Sequence, residues 1–435
     1  MTVKLFKYQI KKMMRKILPL FFTIFISLSF SSSSLPPWES KVDQILLLKR
    51  NSHEDLNFLI ILKEQAKLSS SNTYQSKLEK GQKVFSALKA IAENSQSSLI
   101  KYLSQNKLKF KAFFIINAIQ VKAPFYILEN IAKREDVASI QNNPWVKMES
   151  PVEEIYTDYR GPLDVEWGIK KIGADLVWEM GYQGQGVVVG GQDTGYDWEH
   201  PALKSKYRGW NGTTATHDYN WHDAIHEINP LHGDSTILAT NNRCGLNSLF
   251  PCDDNSHGTH TMGTMVGEEG DNHIGVAPKA KWIACRNMER GYGSPSTYIE
   301  CFEWFLAPTD LEGNNPDPSK SPHVINNSWS CPEKEGCTTS NFETMRMVID
   351  HVKKAGIVVV VSAGNDGNRG CSSISKPPAM FEESFSVGAT NKNDSIAGFS
   401  SRGPVLADDN KQLKPNVVAP GVGVRSSIPN GQYAS

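Results

Sequence analysis

Apolar and polar positions along the chain fall into two regimes. Residues 56–68 (LNFLIILKEQAKL) predict a strand, and residues 75–103 a helix with Phe85, Leu88, Ile91 and Ala92, then Leu99 and Leu103, on one face. Residues 108–121 predict a strand pair, 124–134 a short helix opened by Pro124, and 137–149 a last strand. The order β-α-β-β-α-β is that of a ferredoxin-like unit, an arrangement that many unrelated functions share. Beyond a looser stretch at 149–162, apolar strands alternate with helices. Strands are predicted at 187–190, 282–285 and 324–326, and helices at 257–267 and 340–355. The second of these helices reads as opened by a capping box, Ser340-x-x-Glu343, and stopped by Gly356. Phe342, Met345, Ile349 and Val352 form its inward stripe. Residues 357–361 are apolar at every position, as a strand covered on both faces should be. The pattern predicts a doubly wound parallel α/β sheet, with its sites at the carboxyl ends of the strands, preceded by a small ferredoxin-like α+β domain.

Composition adds a compartment. The chain of 435 residues is net neutral. Lys4, Lys7, Lys11, Lys12, Arg15 and Lys16 nevertheless make its start basic, with no acid before residue 17. No basic surplus elsewhere calls for nucleic acid. The basic start is followed by an apolar run at 17–30 and then by serines, the layout of a secretory signal at 1–33. The rival reading is a membrane anchor, but the run is shorter than the ~20 residues needed to span a bilayer. We therefore expect export to the extracellular side without a stable anchor. All seven cysteines lie from Cys244 to Cys371, which in an exported chain favours disulfides within one domain. Cys244 with Cys252, and Cys331 with Cys337, would close short loops. Spacing leaves the connectivity open, and the odd count leaves at least one thiol unpaired within the chain.

Three residues with complementary chemistry fall at or just past strand ends. Asp193 follows VVVGG in Gln192-Asp193-Thr194-Gly195, His257 opens a helix in Ser256-His257-Gly258-Thr259-His260, and Asn365 follows Ser362-Ala363-Gly364. A buried carboxylate at Asp193 can hold one nitrogen of a histidine and leave the other as a general base. The positive end of a helix disfavours a resident cation on His257. Each residue also has an ordinary reading: Asp193 and Asn365 as turn residues, His257 as an exposed helix entry. Three such positions in the right relation favour the catalytic one.

These residues sit in segments that resemble the subtilisin family of serine proteases. The resemblance runs through Asp193-Thr194-Gly195 with His200-Pro201, and His257-Gly258-Thr259-His260. It continues through Ile274-Gly275-Val276-Ala277-Pro278, Asn327-Ser328, Ala363-Gly364-Asn365, residues 399–404 (FSSRGP) and Ala419-Pro420-Gly421. It extends upstream to an inhibitor-type propeptide, notably at Asn117-Ala118-Ile119. It implies a signal peptide at 1–33, a propeptide domain at 40–150 and a peptidase domain at 160–435. It also implies a serine endopeptidase acting on protein or peptide substrates, with Asp193 and His257 in the triad and Asn365 as the side-chain donor to the oxyanion. His260 is then a packed helix residue. Ser328, Ser330 and Gly364 correspond to substrate-binding positions, although Trp329 and Cys331 stand where the family has glycines. The propeptide would assist folding and block the cleft, with processing between residues 149 and 159.

Three features depart from the family pattern. A long segment separates Asp193 from His257 and contains Trp221-His222-Asp223-Ala224-Ile225-His226, which mimics the HExxH zinc motif with aspartate for glutamate. We expect a structural insert near the cleft there, and no metal or other cofactor. Residues 268–274 are altered where some relatives hold calcium, so calcium is possible there but unassigned. The Gly-Thr-Ser motif that carries the nucleophile does not occur in the 435 residues, and neither Ser401 nor Ser435 replaces it. The expectation is a protease precursor cut before its nucleophile, inactive as given. The competing expectation is a non-catalytic truncated product whose propeptide binds or inhibits a related protease.

Overall fold

The computed structural model describes residues 36–68, 76–148, 164–234, 236–238, 240–332, 338–406 and 412–435. The signal at 1–33, the stretch 149–162 and Cys337 lie outside them. Residues 36–40 form a turn in which Ser40 Oγ donates to Pro37 O at 2.8 Å.

The first sheet contains β1 (Leu56–Leu62), β2 (Phe110–Phe113), β3 (Ala118–Ala123) and β4 (Val137–Asn142) in the antiparallel order β2-β3-β1-β4. Helices α1 (Lys77–Gln105) and α2 (Phe125–Ala132) complete the ferredoxin-like order. Strand β1 stops earlier than predicted. The side chain of Gln65 takes over as backbone partner there, donating to Leu62 O and accepting from Asn117 N. Helix α1 starts at a capping box in which Ser76 and Glu79 satisfy each other's backbone N–H groups. Its buried stripe is Val84, Leu88, Ala92, Gln96, Leu99 and Leu103. Phe85 and Ile91 are half-buried, and Phe85 meets Phe114 edge-on. The predicted last strand is two pieces. Asn143 turns its side chain to Asn57 and Ser296, Pro144 offers no N–H, and β5 (Val146–Lys147) leaves the sheet altogether.

The second sheet is parallel throughout. It contains β6 (Val188–Asp193), β7 (Trp221–Asp223), β8 (Lys281–Arg286), β11 (Val324–Asn327), β12 (Val358–Ser362), β13 (Phe385–Thr390) and β14 (Val417–Pro420), in the order β14-β13-β12-β11-β6-β8-β7. Its helices include α3 (His257–Val266), α4 (Pro295–Leu306) and α5 (Thr339–Lys354). A hairpin of β9 (Met288–Glu289) and β10 (Tyr292–Gly293) takes β5 as its third strand. Side chains alternate across β8: Ile283 and Cys285 enter the core shared with α4 and α5, while Trp282 and Ala284 enter a second core with Tyr196, Tyr207 and Met262. Strand β12 departs from expectation. Val359 and Val361 are buried, but on the other face Val358 is 53% exposed and Val360 half-buried. Helix α5 begins at Thr339 with Thr338 as its N-cap, so Ser340 lies inside the first turn and is not the cap that the pattern suggested. Its end is as read: Gly356, at φ +84°, bonds Lys353 O while Ile357 bonds Val352 O.

The first sheet docks on α4 and α5. Glu303 of α4 accepts the N–H groups of Phe114 and Ile115 at 2.5 and 2.8 Å. Gln141 donates to Thr344, and His351 of α5 pairs with Ile115 O. Leu59, Ile61, Val84, Leu88 and Phe113 share one apolar core with Ile299, Phe302, Val348 and Val352. Among the described residues no helix is long and apolar enough to cross a membrane.

Candidate active site

Strand β6 ends at Asp193, which is fully buried. One residue earlier the sheet carries a row of amides: Gln192 bonds Asn327 of β11 on one side and Asn287, just past β8, on the other. These buried bonds lock the register of three neighbouring strand ends. Asp193 Oδ1 accepts the Thr194 N–H at 2.8 Å, and Asn287 N donates to Asp193 O at 3.0 Å. The same Oδ1 lies 2.7 Å from Nδ1 of His257, the first residue of α3.

The helix reaches this position because two glycines let backbones touch. A β-carbon on Gly258 would sit 2.0 Å from Gly195 O, and one on Gly195 would sit 1.8 Å from Cys252 O. Gly195 is also held at φ +113°, where a side chain is strained. The Cys244–Cys252 disulfide anchors the segment that passes Gly195.

Asp253 was not singled out by the sequence pattern, yet it organises the loop. It is buried and accepts bonds from Thr194 Oγ1 (2.9 Å), Asn255 N and Ser256 N (both 3.0 Å), Thr259 N (2.9 Å) and Thr259 Oγ1 (2.6 Å). Thr194 Oγ1 in turn accepts the Gly258 N–H at 3.0 Å. Burial pushes the Asp253 carboxyl up, against these bonds. The available signal was an acid a few residues before a helix start, a position that satisfies orphan N–H groups.

The remaining sequence candidates lie nearby in the same sheet. Asn365 is exposed, three residues beyond the end of β12, and Gly364 has φ +96° with its carbonyl accepting Ser401 N. Ser328 follows β11 and accepts from Asn326, while Ser330 is buried. Asp193, Ser328 and Asn365 therefore sit at the ends of three adjacent parallel strands. Trp329 stacks on Tyr298 with ring centroids 3.8 Å apart, which accounts for a bulky residue at a position expected to be small. The extended pairing observed falls elsewhere: β5 lies antiparallel to β10, Met148 N donates to Gly291 O, and Val146 packs with Cys331. The β9–β10 hairpin was missed because its arms are two residues long; its turn residues Arg290 and Gly291 both have positive φ. His260 Nε2 lies 3.2 Å from Ala434 O, in a packed setting.

The cysteines pair Cys244–Cys252 and Cys285–Cys301, Cys331 is also disulfide-bonded, and Cys371 is free and exposed. The histidines of the 222–226 segment both point to Glu300, and no group of three His, Cys, Asp or Glu among the described residues is arranged for a metal. At residues 268–274 three oxygen-bearing side chains are engaged, while Asp271 is exposed. Glu268 holds Lys206 and His273, Glu269 accepts from Tyr433, and Asn272 accepts from Arg425.

A family model described as "Subtilase family" matches residues 184–435. Bacillopeptidase F of Bacillus subtilis (strain 168) is 34% identical over 426 residues, covering 91% of this chain and 28% of that protein. Subtilisin E of the same strain is 30% identical over 286 residues, covering 65% of this chain and 59% of its own length. M-protease of Shouchella clausii (strain KSM-K16) is 29% identical over 303 residues, 69% of this chain and 62% of that protein. The chain thus spans less than two thirds of the length of these relatives.

Proposed function

The chain belongs to the subtilase family, and from that premise we propose that it is the precursor of an exported serine endopeptidase acting on protein or peptide substrates. The observation that carries this reading is the 2.7 Å contact between His257 Nδ1 and the buried Asp193 carboxylate. With its Nδ1 proton held there, the ring offers Nε2 as base. It takes the proton of a serine hydroxyl as the oxygen attacks the peptide carbonyl, and returns it to the leaving amine. Asp193 stabilises the imidazolium formed between the two steps. Asn365 donates its amide N–H to the developing oxyanion. Ser328, Ser330 and Gly364 line the approach of substrate backbone.

In this reading the attacking serine belongs to a Gly-Thr-Ser motif outside the 435 residues, and residues 1–435 alone do not hydrolyse peptides. Residues 40–150 act as propeptide, assisting folding and blocking the cleft, with 1–33 as the export signal and 160–435 as the peptidase domain. Support comes from β5, which adds to β10 as a substrate strand would. Its last anchored amide, Met148, leads directly into the stretch 149–159 where processing is proposed.

The test compares the 435-residue chain with the product of the same frame read downstream. Labelling by a fluorophosphonate and cleavage of a peptide library are expected only for the longer product, and both should vanish with His257→Ala. Its mature N-terminus should map to 149–159. Hydrolysis by the 435-residue chain that is lost on His257→Ala would overturn the assignment of the nucleophile. A longer product with no labelled serine would overturn the enzymatic reading.

A further inference from the structure

We propose that His222, His226 and Glu300 form a proton-sensitive latch that holds residues 41–148 on α4 and releases its grip on acidification. The proposal rests on the reading of that region as a propeptide, but concerns its docking alone. The 222–226 segment takes no part in the Asp193–His257 contact. Its two histidines instead converge: His222 Nε2 lies 2.7 Å and His226 Nε2 2.8 Å from Glu300 Oε1. Lys111 of β2 brings its ammonium to the same oxygen at 2.5 Å. Three donors therefore compete for one buried carboxylate oxygen, one from the N-terminal region and two from the part it docks on. The Asn247 side-chain oxygen faces His226 Nδ1 at 2.5 Å, so both ring nitrogens meet acceptors, the surroundings of an imidazolium.

Linkage gives the sign. Burial lowers the His226 pKa, but the hydrogen bond and charge of Glu300 outweigh it and hold the ring above its ordinary 6.5, while Lys111 opposes. Undocking removes Lys111, whose charge opposes protonation; the water admitted relieves burial while screening Glu300, so the loss of Lys111 sets the sign. The undocked state thus binds the proton more tightly, and acidification through the histidine range favours undocking. Each pKa unit of difference between the two states changes the docking equilibrium about tenfold.

Other charges face the cluster. From the N-terminal region come Lys109 and Lys122 on one flank and Lys89 with Glu93 of α1 on the other. From the opposite side come Asp223, which is bonded to Arg286, and Glu227, which is 3.7 Å from Lys122. Glu303 titrates in the same range, since burial pushes it up to about 7 against its two backbone N–H bonds. Its protonation favours the docked state, opposite to that of His226, so the readout is a difference between proteins.

The experiment is hydrogen exchange on the full 435-residue chain between pH 8 and 6, with rates referred to intrinsic chemistry. Two amides report docking: Met148, which bonds Gly291 O, and Ser296, which bonds the Asn143 side chain. Amides of β1 paired with β3 serve as the internal reference. On acidification, wild-type protection at the two reporters should fall relative to the same reporters in His226→Gln and in His222→Gln/His226→Gln, by about tenfold for a one-unit difference. Lys111→Gln should lower reporter protection at pH 8 and flatten the same response. Coincident pH profiles for wild type and both histidine variants would overturn the latch, as would a reference that moves with the reporters. Neither outcome depends on catalysis, so the enzymatic reading stands or falls separately.

Discussion

Replacing Asp253 with alanine should loosen the start of α3 while leaving the rest of the sheet intact. The carboxylate serves five donors, of which the Thr194 hydroxyl and the Thr259 amide and hydroxyl belong to fully buried residues. Leaving a buried donor unsatisfied costs about 1–3 kcal/mol. Three such groups set the loss at about 3–5 kcal/mol, because water entering the vacated space recovers part of it. Hydrogen exchange of the α3 amides measures this locally. At about 3 kcal/mol, protection of the Thr259 and His260 amides should fall on the order of a hundredfold. The amides of β12 and β13, which Asp253 does not bond, should hold. Asp253→Asn keeps one acceptor oxygen and should fall between. A change below about fivefold in Asp253→Ala would show that the loop is held by the glycine contacts and the disulfide, and would refute the role given to Asp253 here.

Other consequences are equally direct. Burial pushes the Glu303 carboxyl up from its ordinary 4.5 to about 7 in the folded chain, so its ionisation opposes folding. Its contribution to stability is fully present below the unfolded pKa and is lost as pH rises through about 7; Glu303→Gln should flatten that part of a pH–stability profile followed by denaturant titration. Gly258→Ala would place a β-carbon 2.0 Å from Gly195 O, and should cost about 2–4 kcal/mol by differential scanning calorimetry. Cys244→Ser with Cys252→Ser opens a loop with a sequence separation of 8, and should cost about 2–3 kcal/mol in the same assay.

Much of the fold was legible because burial imposes period. The alternation of β8 and the stripes of α1 and α5 are direct consequences of facing a core on one side. Boundaries were misread where a side chain stood in for backbone: Gln65 ends β1, and Asn143 splits β4 from β5. Neither of these substitutions leaves a periodic trace. β8 runs past its apolar stretch to Arg286, which is buried between Asp223 and Asp254. Local hydropathy reads such a charge as an end of burial.

The sequence alone determined the chemistry on offer: an acid and an asparagine at strand ends and a histidine opening a helix, in motifs whose glycines are needed for close approach. Short-range sterics and period suffice for that, because each motif is contiguous. Only the tertiary structure decided what met what. It closed the Asp193–His257 contact across 64 positions of sequence, set Asp253 beneath it, and added β5 to a hairpin of two-residue arms. It also turned the pair of histidines in an apparent metal motif toward Glu300, where Lys111 already holds the carboxylate. Charges and hydrogen bonds of this kind depend on distance in space, and spacing along the chain carries no record of it.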